Sequence, residues 1–259
     1  MIRSKPKAKI ESRSAFSLTE LVVVLGVIAI LIALLLPALF RARSRAQQIQ
    51  CVSNLHQLGI GLNTFLANNH GYPIFAAGTN EGYPARDKFW FGQLERVGLG
   101  IAKPETNYYQ KGVWLCPTAK SAHPSQITDR TQVAYYGYNN DLWYRNHDPA
   151  NPNLLGLEGH YDPMTRTFQP IAESEVAAPS DMMAIGDSFE LNTVFNRQSV
   201  AVFEQLGNIL TRHQDNGNVA FCDGHVESPT VNFLFDDTSD TALRRWNRDD
   251  LPHRERLAP

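Results

Sequence analysis

Residues 21–40 read LVVVLGVIAILIALLLPALF, a run of 20 residues without a charged side chain. At about 1.5 Å of rise per residue, a helix of this length measures roughly 30 Å, the thickness of the hydrocarbon core of a bilayer. A cleaved secretory signal has a shorter apolar stretch, of about 7–15 residues, with its cleavage site after that stretch. The run therefore predicts a helix that crosses the membrane once.

Charge is distributed unevenly along the chain. Residues 1–15 contain five basic side chains and a single acidic one, Glu11, which leaves 19 basic and 25 acidic residues for the rest. Phosphate binding needs clustered Lys and Arg, so an acidic main body argues against nucleic acid as the main partner. The length of 259 residues and the 43% apolar content are sufficient for a folded domain with its own core.

The helical pattern continues beyond the apolar run. Apolar residues recur in steps of three or four up to Phe65, which predicts an amphipathic helix whose opposite side carries polar residues such as Asn54. The apolar stripe consists of Ala42, Ala46, Ile49, Val52, Leu55, Leu58, Leu62 and Phe65. We expect one helix over residues 16–69, with a membrane half (16–40) and an amphipathic half (41–69). Pro37 lies inside it and predicts a kink or local melting, because proline removes a backbone hydrogen bond.

Residues 71–259 predict a soluble domain of short strands and long loops, because short apolar runs alternate with Gly, Pro and Asn. Residues 182–186 predict a buried strand. Residues 218–227 predict a hairpin that turns at Asp223-Gly224. The last 15 or so residues are highly charged and predict a loosely held tail. The fold class is therefore α+β, a long helix packed on a mostly antiparallel sheet.

The chain has three cysteines, Cys51, Cys116 and Cys222. They are too few for a disulfide-built scaffold and lack the paired spacing of a zinc site. At most one bridge can form, and it persists only if the domain lies outside the cytoplasm. We predict that Cys51 pairs with Cys116, with three free thiols as the alternative.

The junction Ser14-Ala15-Phe16-Ser17-Leu18-Thr19-Glu20, directly before the apolar run, resembles the prepilin peptidase site. In type IV pilins and type II secretion pseudopilins, a basic leader is cut before a Phe, whose new amine is methylated, and a Glu stands fifth in the mature chain. By position, the resemblance implies a cut between Ala15 and Phe16 that removes the leader 1–15. It also implies N-methylation of Phe16 and assembly roles for Glu20 and Pro37. Ala15 departs from the Gly that usually precedes the cut.

Glu20 also predicts a partner on physical grounds. A carboxylate in an apolar helix costs about 2.5–3.5 kcal/mol at the bilayer centre and less near the interface. The amine that cleavage creates at Phe16, in the same subunit or a neighbouring one, is the nearest cation, and pairing between subunits would set their axial register. The alternative is a Glu that only caps the first helical turn.

A second resemblance lies near the C-terminus. His213, nine spacer residues (214–222) and Asp223-Gly224 are similar to the H-X9-DG signature of a pilin-like prepilin family of planctomycetes and their relatives. The resemblance extends to residues 51–59, to Leu115-Cys116-Pro117 and to residues 136–139, and it favours Cys222 as the unpaired thiol. Related pseudopilins hold calcium in a loop, which makes His213 and Asp223 weak metal candidates. We predict no metal, with Asp223 fixing its own turn and His213 donating to nearby backbone.

Two other classes of function stay open as alternatives. Gly186-Asp187-Ser188, with residues 250–253 as an Asp-x-x-His block, is similar to GDS-type esterases. A nucleophilic Ser needs a base and an oxyanion hole, however, and about 60 residues are too few for the intervening fold. We therefore predict no enzymatic activity. The other class is a membrane-anchored surface binding module, whose contact residues would be Trp90, Trp114, Trp143 and Trp246, although most of these are expected in the core.

The resemblance to pilins implies a structural subunit of a type IV pilus-like or type II secretion pseudopilus-like assembly. Its partners would be like subunits, homo- or hetero-oligomeric, a prepilin peptidase and an assembly ATPase. The chain would pass once through the inner (cytoplasmic) membrane, with the leader inside and the domain in the periplasm. The basic residues on either side of the span give only a weak orientation by themselves.

Overall fold

The computed structural model describes residues 17–75, 88–101, 112–118, 135–140, 155–162, 164–165, 167–188, 194–195, 197 and 213–257. Ala15 and Phe16 of the predicted cleavage site and Trp143 lie outside these residues. By internal packing the chain divides into two compact units, Met1–Arg45 and Ala46–Pro259.

The long helix α1 spans Leu18–Asn69. It begins with a capping box, in which Ser17 Oγ accepts from Glu20 N at 3.2 Å and the Glu20 carboxylate accepts from Ser17 N at 2.9 Å. The helix runs unbroken through Pro37, so the predicted local melting does not occur. Loss of one backbone hydrogen bond interrupts only one link in a helix of 52 residues.

In the first unit, every described side chain is exposed, including the apolar residues of the run 21–40. Of the described helices, α1 alone is long and apolar enough to cross a membrane. A helix of this kind near the N-terminus suits a membrane anchor or a signal sequence.

The second unit contains the sheet. The described strands are β1 (Tyr136–Asn139), β2 (His160–Asp162), β3 (Thr167–Gln169), β4 (Met183–Asp187), β5 (Val194–Phe195), β6 (Val219–Phe221) and β7 (Val226–Glu227). Five of them form one sheet in the order β5-β1-β4-β6-β7, and β2 and β3 form a separate antiparallel pair. The pairs β1/β4, β4/β6 and β6/β7 are antiparallel, whereas β5 runs parallel to β1. The α+β class, with a mostly antiparallel sheet, is therefore confirmed.

The other described helices are short. They are α2 (Trp90–Gln93), which continues as a π-helical turn (Leu94–Gly98), α3 (Val231–Phe235), α4 (Asp240–Arg244) and the 3-10 turns Gly112–Trp114, Glu173–Glu175 and Arg254–Arg256.

Side chains that alternate along β6 separate the core into two clusters. Ala220 belongs to the cluster that contains the buried face of α1, whereas Val219 and Phe221 pack with Trp246 and the apolar residues of α3. The sheet therefore carries α1 on one face and the C-terminal helices on the other. Because Trp246 is buried in this second cluster, the prediction of a loosely held tail is wrong.

The buried face of α1 includes the predicted stripe from Leu55 to Phe65 but differs from it before Leu55. Gln48 and Asn54 are buried, whereas Ile49 is 60% exposed. Asn54 is tolerated at a buried position because its Nδ2 donates to the carbonyl oxygen of Leu115 at 2.7 Å. A hydrogen-bonded polar residue can thus occupy a helix face that periodicity assigns to apolar residues.

Candidate functional site

The chain segments that carry the H-X9-DG resemblance meet at a buried cluster of Cys51, Cys116, His213 and Asp187. Cys51 Sγ lies 2.6 Å from Cys116 Sγ, and Cys116 Sγ lies 3.5 Å from His213 Nε2. The same ring nitrogen lies 3.3 Å from Asp187 Oδ2, and neither side chain of that pair is exposed. Four residues far apart in the sequence thus form one continuous chain of polar contacts, which we call the thiol–imidazole cluster.

Two hydrogen bonds position the cysteines. Cys51 lies on α1, and Cys116 follows the 3-10 turn Gly112–Trp114. Asn54, one helical turn after Cys51, donates to the carbonyl oxygen of Leu115. Tyr136 of β1 donates its hydroxyl to the carbonyl oxygen of Cys51 at 3.4 Å. These contacts hold helix, turn and sheet together around the two sulfur atoms.

His213 is positioned by an unusual turn that precedes β6. His213, Gln214 and Asp215 have φ values of 57°, 61° and 64°, in the left-handed region that residues with a side chain seldom adopt. Asn216 stabilises this turn, because its Nδ2 donates to the carbonyl oxygens of His213 and Gln214 at 3.3 and 3.4 Å. The turn ends as the chain enters β6 beside Asp187 of β4.

Asp187 supplies the negative charge of the cluster. Its Oδ2 accepts from the backbone N of Asn218 at 2.7 Å and from Asn218 Nδ2 at 3.0 Å. Burial alone would lower the pKa of His213, but the charge and hydrogen bond of Asp187, with a contribution from Cys116, outweigh it and raise this pKa to about 9. The imidazole is therefore protonated at neutral pH and forms a buried ion pair with Asp187.

The two thiols differ in their surroundings. Burial raises the pKa of Cys116 well above its ordinary value, whereas the hydrogen bond from Cys116 lowers the pKa of Cys51. The two cysteines are not bonded to each other in the structure. The predicted pairing of Cys51 with Cys116 stays a prediction, and the geometry brings the two residues together as it requires.

Cys and His side chains are also the ligand types that bind zinc and other soft cations. Within the part of the chain that the structure describes, Cys51, Cys116 and His213 form the group of such ligands. Binding would require the imidazolium to lose its proton and the contact with Asp187 to give way, because one atom, Nε2, makes both contacts.

The structure does not bring together the two weak metal candidates, His213 and Asp223. His213 precedes β6 and Asp223 follows it, so the two residues lie at opposite ends of this strand. Asp223 Oδ1 accepts from the backbone N of His225 at 3.0 Å and lies 2.6 Å from His225 Nδ1. Asp223 thus fixes its own turn, as predicted. The predicted hydrogen bond from His213 to backbone is wrong, because Nε2 contacts the side chains of Asp187 and Cys116.

The Asp223-Gly224 turn is the predicted hairpin between β6 and β7. Gly224 has φ 90°, a conformation that favours glycine. Asn63 of α1 donates through Nδ2 to the carbonyl oxygen of Asp223 at 3.0 Å. The signature therefore has two structural roles: His213 joins the thiol–imidazole cluster, and Asp223-Gly224 docks the hairpin on the helix.

The residues of the esterase alternative do not form a catalytic pair in the described structure. Asp187 and Ser188 are buried at the end of β4, and the Ser188 backbone N donates to the carbonyl oxygen of Tyr135. The ring nitrogens of His253 lie 2.8 Å from Asp249 Oδ2 and 2.7 Å from Glu255 Oε1. His253 is thus held by local carboxylates.

The aromatic contact residues of the binding-module alternative are mostly buried. Trp90, Trp114 and Trp246 lie in the core, as predicted. Trp114 Nε1 donates to Glu95 Oε1 at 2.7 Å, and Trp246 Nε1 donates to the carbonyl oxygen of Leu234 at 3.2 Å. These three side chains therefore stabilise the domain.

Sequence reasoning did not place Asp187, Asn54, Tyr136 or Asn218 in this cluster, and it considered Asp187 only as part of the esterase block. Asp187 carried a usable signal, because a carboxylate that ends a buried apolar strand needs a partner. Asn54 carried a weaker signal, as it falls among the residues of the family resemblance.

Comparisons with models of protein families, with curated proteins and with solved structures found no match for this chain.

Proposed function

We propose that this chain is a structural subunit of a type IV pilus-like or type II secretion pseudopilus-like assembly, processed by a prepilin peptidase. The carrying observation is the N-terminal half of α1, where apolar side chains are exposed along the whole run 21–40 and a single carboxylate, Glu20, stands at its beginning. Exposed apolar surface of this extent needs lipid or another apolar helix to cover it.

The resemblance to pilins supports the choice of partner. The basic leader, the Phe16 junction and Glu20 occur in the order that the family uses for export and assembly. The partners would be like subunits, the prepilin peptidase and a cytoplasmic assembly ATPase. The domain would lie outside the inner membrane, and the helix would serve first as a membrane anchor and then as the subunit-packing element.

The second resemblance supports the same proposal from the domain. The segments around Cys51, Cys116, Tyr136 and His213 are all parts of the H-X9-DG likeness, and they meet at the thiol–imidazole cluster. The residues of this resemblance thus make the contacts that attach the sheet domain to α1. This role fits a structural subunit, because a filament needs a domain that stays attached to its packing helix.

The membrane-anchored binding module is the second candidate, and the capping box favours it. In the structure Glu20 makes hydrogen bonds with Ser17 of its own chain. A Glu that only caps its helix would leave the anchor without an assembly role.

The experiment that tests the proposal is N-terminal analysis of the chain isolated from membranes of a host with a prepilin peptidase. A subunit of this class begins at methylated Phe16 and is recovered in oligomers after crosslinking. An Ala15→Gly variant serves as a matched control, because it restores the usual residue before the cut and is expected to be processed at least as fully. Retention of residues 1–15 in both proteins, with only monomer in the membrane, would exclude the assembly class.

A further inference from the structure

We propose that Cys51 and Cys116 are oxidised to a disulfide, and that His213, held by Asp187, determines how readily this bond is reduced. The thiol–imidazole cluster would then be a redox modification site that fastens α1 to the sheet domain. Oxidation in cells rests on one part of the proposed function, namely that the domain lies outside the cytoplasm, where disulfides persist.

The two sulfur atoms lie in direct contact, as a disulfide requires. Cys51 Sγ and Cys116 Sγ are 2.6 Å apart. A disulfide needs about 2.05 Å, unbonded heavy atoms in contact lie about 3.5–4.0 Å apart, and two thiolates on a tetrahedral zinc lie roughly 3.7 Å apart, from a Zn–S distance of about 2.3 Å. A disulfide can therefore form here with a movement of the sulfur atoms of less than about 1 Å.

The backbone near the pair is held independently of the sulfur atoms. Asn54 ties α1 to the carbonyl oxygen of Leu115, the residue before Cys116. Tyr136 holds the carbonyl oxygen of Cys51 from the sheet side. Because both cysteines are attached to fixed backbone and fully buried, their thiols meet at high effective concentration, which favours an internal disulfide over mixed disulfides.

The charge of the cluster gives His213 its role. The imidazolium lies 3.5 Å from Cys116 Sγ and is retained by Asp187 at 3.3 Å. A positive charge at this distance stabilises negative charge on the reduced sulfur pair, whereas a disulfide carries no charge for it to stabilise. His213 therefore favours the reduced state and makes the bond easier to reduce than it would be beside a neutral side chain.

The oxidation is a thiol–disulfide exchange with a donor disulfide, R–S–S–R, supplied by a small molecule or a protein. One cysteine thiolate attacks a donor sulfur, which breaks the donor bond and releases the first RS⁻. The second cysteine thiolate then attacks the protein sulfur of the mixed disulfide and releases the second RS⁻. The two protein thiols lose two electrons and two protons, and the donor becomes two molecules of RSH.

The first test uses the full-length chain in detergent, equilibrated with oxidised and reduced glutathione. The equilibrium is approached once from the reduced and once from the oxidised protein, and free thiols are then alkylated in denaturant. We expect a peptide linking Cys51 to Cys116, with Cys222 as the one alkylated cysteine of the oxidised form. Cys222→Ala is the matched control and should form the same link with no alkylated cysteine. Glutathione adducts on Cys51 or Cys116, a link to Cys222, or a co-purifying metal ion on reduced thiols would overturn the disulfide.

The second test measures the glutathione equilibrium constant of variants. We expect His213→Gln to shift the equilibrium towards the disulfide by roughly tenfold, or about 30 mV. His213→Asn, a shorter neutral replacement, should shift it in the same direction, because it also removes the positive charge beside Cys116. His225→Gln, which alters a partly buried histidine at the other end of β6, should leave the constant unchanged.

Equal constants for all three variants and the wild type would overturn the role of His213. His213→Asn decides the question if His213→Gln does not fold, since its shorter side chain removes the same charge. Acid trapping of thiols in intact cells separates this inference from the proposed function. A chain with reduced cysteines in the cell but a normal equilibrium in vitro would contradict the extracytoplasmic location and leave the site as proposed.

Discussion

Gly59 of α1 and Gly224 of the β6–β7 turn lie in direct backbone contact. A Cβ at Gly59 would stand 2.9 Å from the carbonyl oxygen of Gly224 and 3.1 Å from its Cα. These distances leave no room for a methyl group unless the hairpin moves away from the helix. The glycine of the H-X9-DG segment and the last residue of the 51–59 segment are thus two halves of one contact.

We therefore expect Gly59→Ala to destabilise the domain. Overpacking against backbone costs about 1–3 kcal/mol, which exceeds the gain of about 1 kcal/mol from the better helix propensity of Ala. Gly61→Ala is the matched control, because its Cβ would meet the end of the Leu99 side chain at 2.7 Å, which can rotate away. Denaturant unfolding followed by tryptophan fluorescence measures both. Equal stability of the two variants would contradict the close docking.

Stability should depend on pH through His213. The pKa of its imidazole is about 9 in the folded chain, against 6.5 as the ordinary value. Because the folded value is the higher one, the contribution is fully present below pH 6.5 and is lost as the pH rises to about 9. We expect the free energy of unfolding to fall over this window by at most about 3 kcal/mol.

Other titratable groups face His213, and the experiment must separate them. They are Asp187, Cys51 and Cys116, and Tyr136 lies against Cys51 in the same cluster. Burial raises the pKa of Cys116 and of Tyr136 well above their ordinary values, so both stay protonated through the window. Unfolding of wild type and His213→Gln from pH 6 to 9, without reductant and again with it, isolates the imidazole. A loss of stability of the same size in His213→Gln would assign the dependence to another group.

Trp246 provides a test of the C-terminal packing. Its side chain is 7% exposed, and its ring centroid lies 4.7 Å from that of Phe195 and 6.0 Å from that of Phe235. Trp246→Ala should cost about 3–5 kcal/mol of unfolding free energy, because it leaves a large cavity. Leu251→Ala, at a side chain that is 54% exposed, should change stability by about 0.5 kcal/mol or less. A loss of about 0.5 kcal/mol or less in Trp246→Ala as well would mean that residues after α4 do not form a packed layer.

Local sequence patterns predicted the secondary-structure elements. The predictions were wrong where contacts between distant residues determine burial. The length of α1 and the hairpin at Asp223-Gly224 follow from periodicity and turn chemistry, which act over a few residues. The burial of Asn54 does not, because it depends on a hydrogen bond to a carbonyl oxygen 61 residues away. Periodicity cannot foresee a partner at that distance.

The thiol–imidazole cluster shows the same limit. Its contacts join residues 65 and 97 positions apart, from Cys51 to Cys116 and from Cys116 to His213. The family resemblance marked these residues separately, and only the fold shows that they touch. Asp187 was considered as part of a catalytic block because its neighbours are Gly186 and Ser188, whereas its contacts are those of a buried counterion.

Glu20 separates the two candidate functions through a substitution that keeps the cap and removes the charge. Gln is accepted at the third position of a capping box, so Glu20→Gln should preserve the hydrogen bond from Ser17 N and the start of α1. If Glu20 pairs with the amine of Phe16 on a neighbouring subunit, this variant loses that pair, and assembly should fall by roughly tenfold or more. Crosslinking of membranes, with quantification of oligomers against monomer, measures the loss.

Ser17→Ala is the complementary control for this experiment. It removes the side chain that accepts from Glu20 N but leaves the carboxylate charged, so the cap is weakened by about 1 kcal/mol and the charge is retained. The mass of the mature N-terminus shows whether either variant changes processing at Phe16. Unchanged oligomer recovery from Glu20→Gln, with reduced recovery from Ser17→Ala, would assign the role of the junction to the capping box rather than to intersubunit charge pairing. Recovery of monomer alone from the wild type and both variants would favour the anchor function.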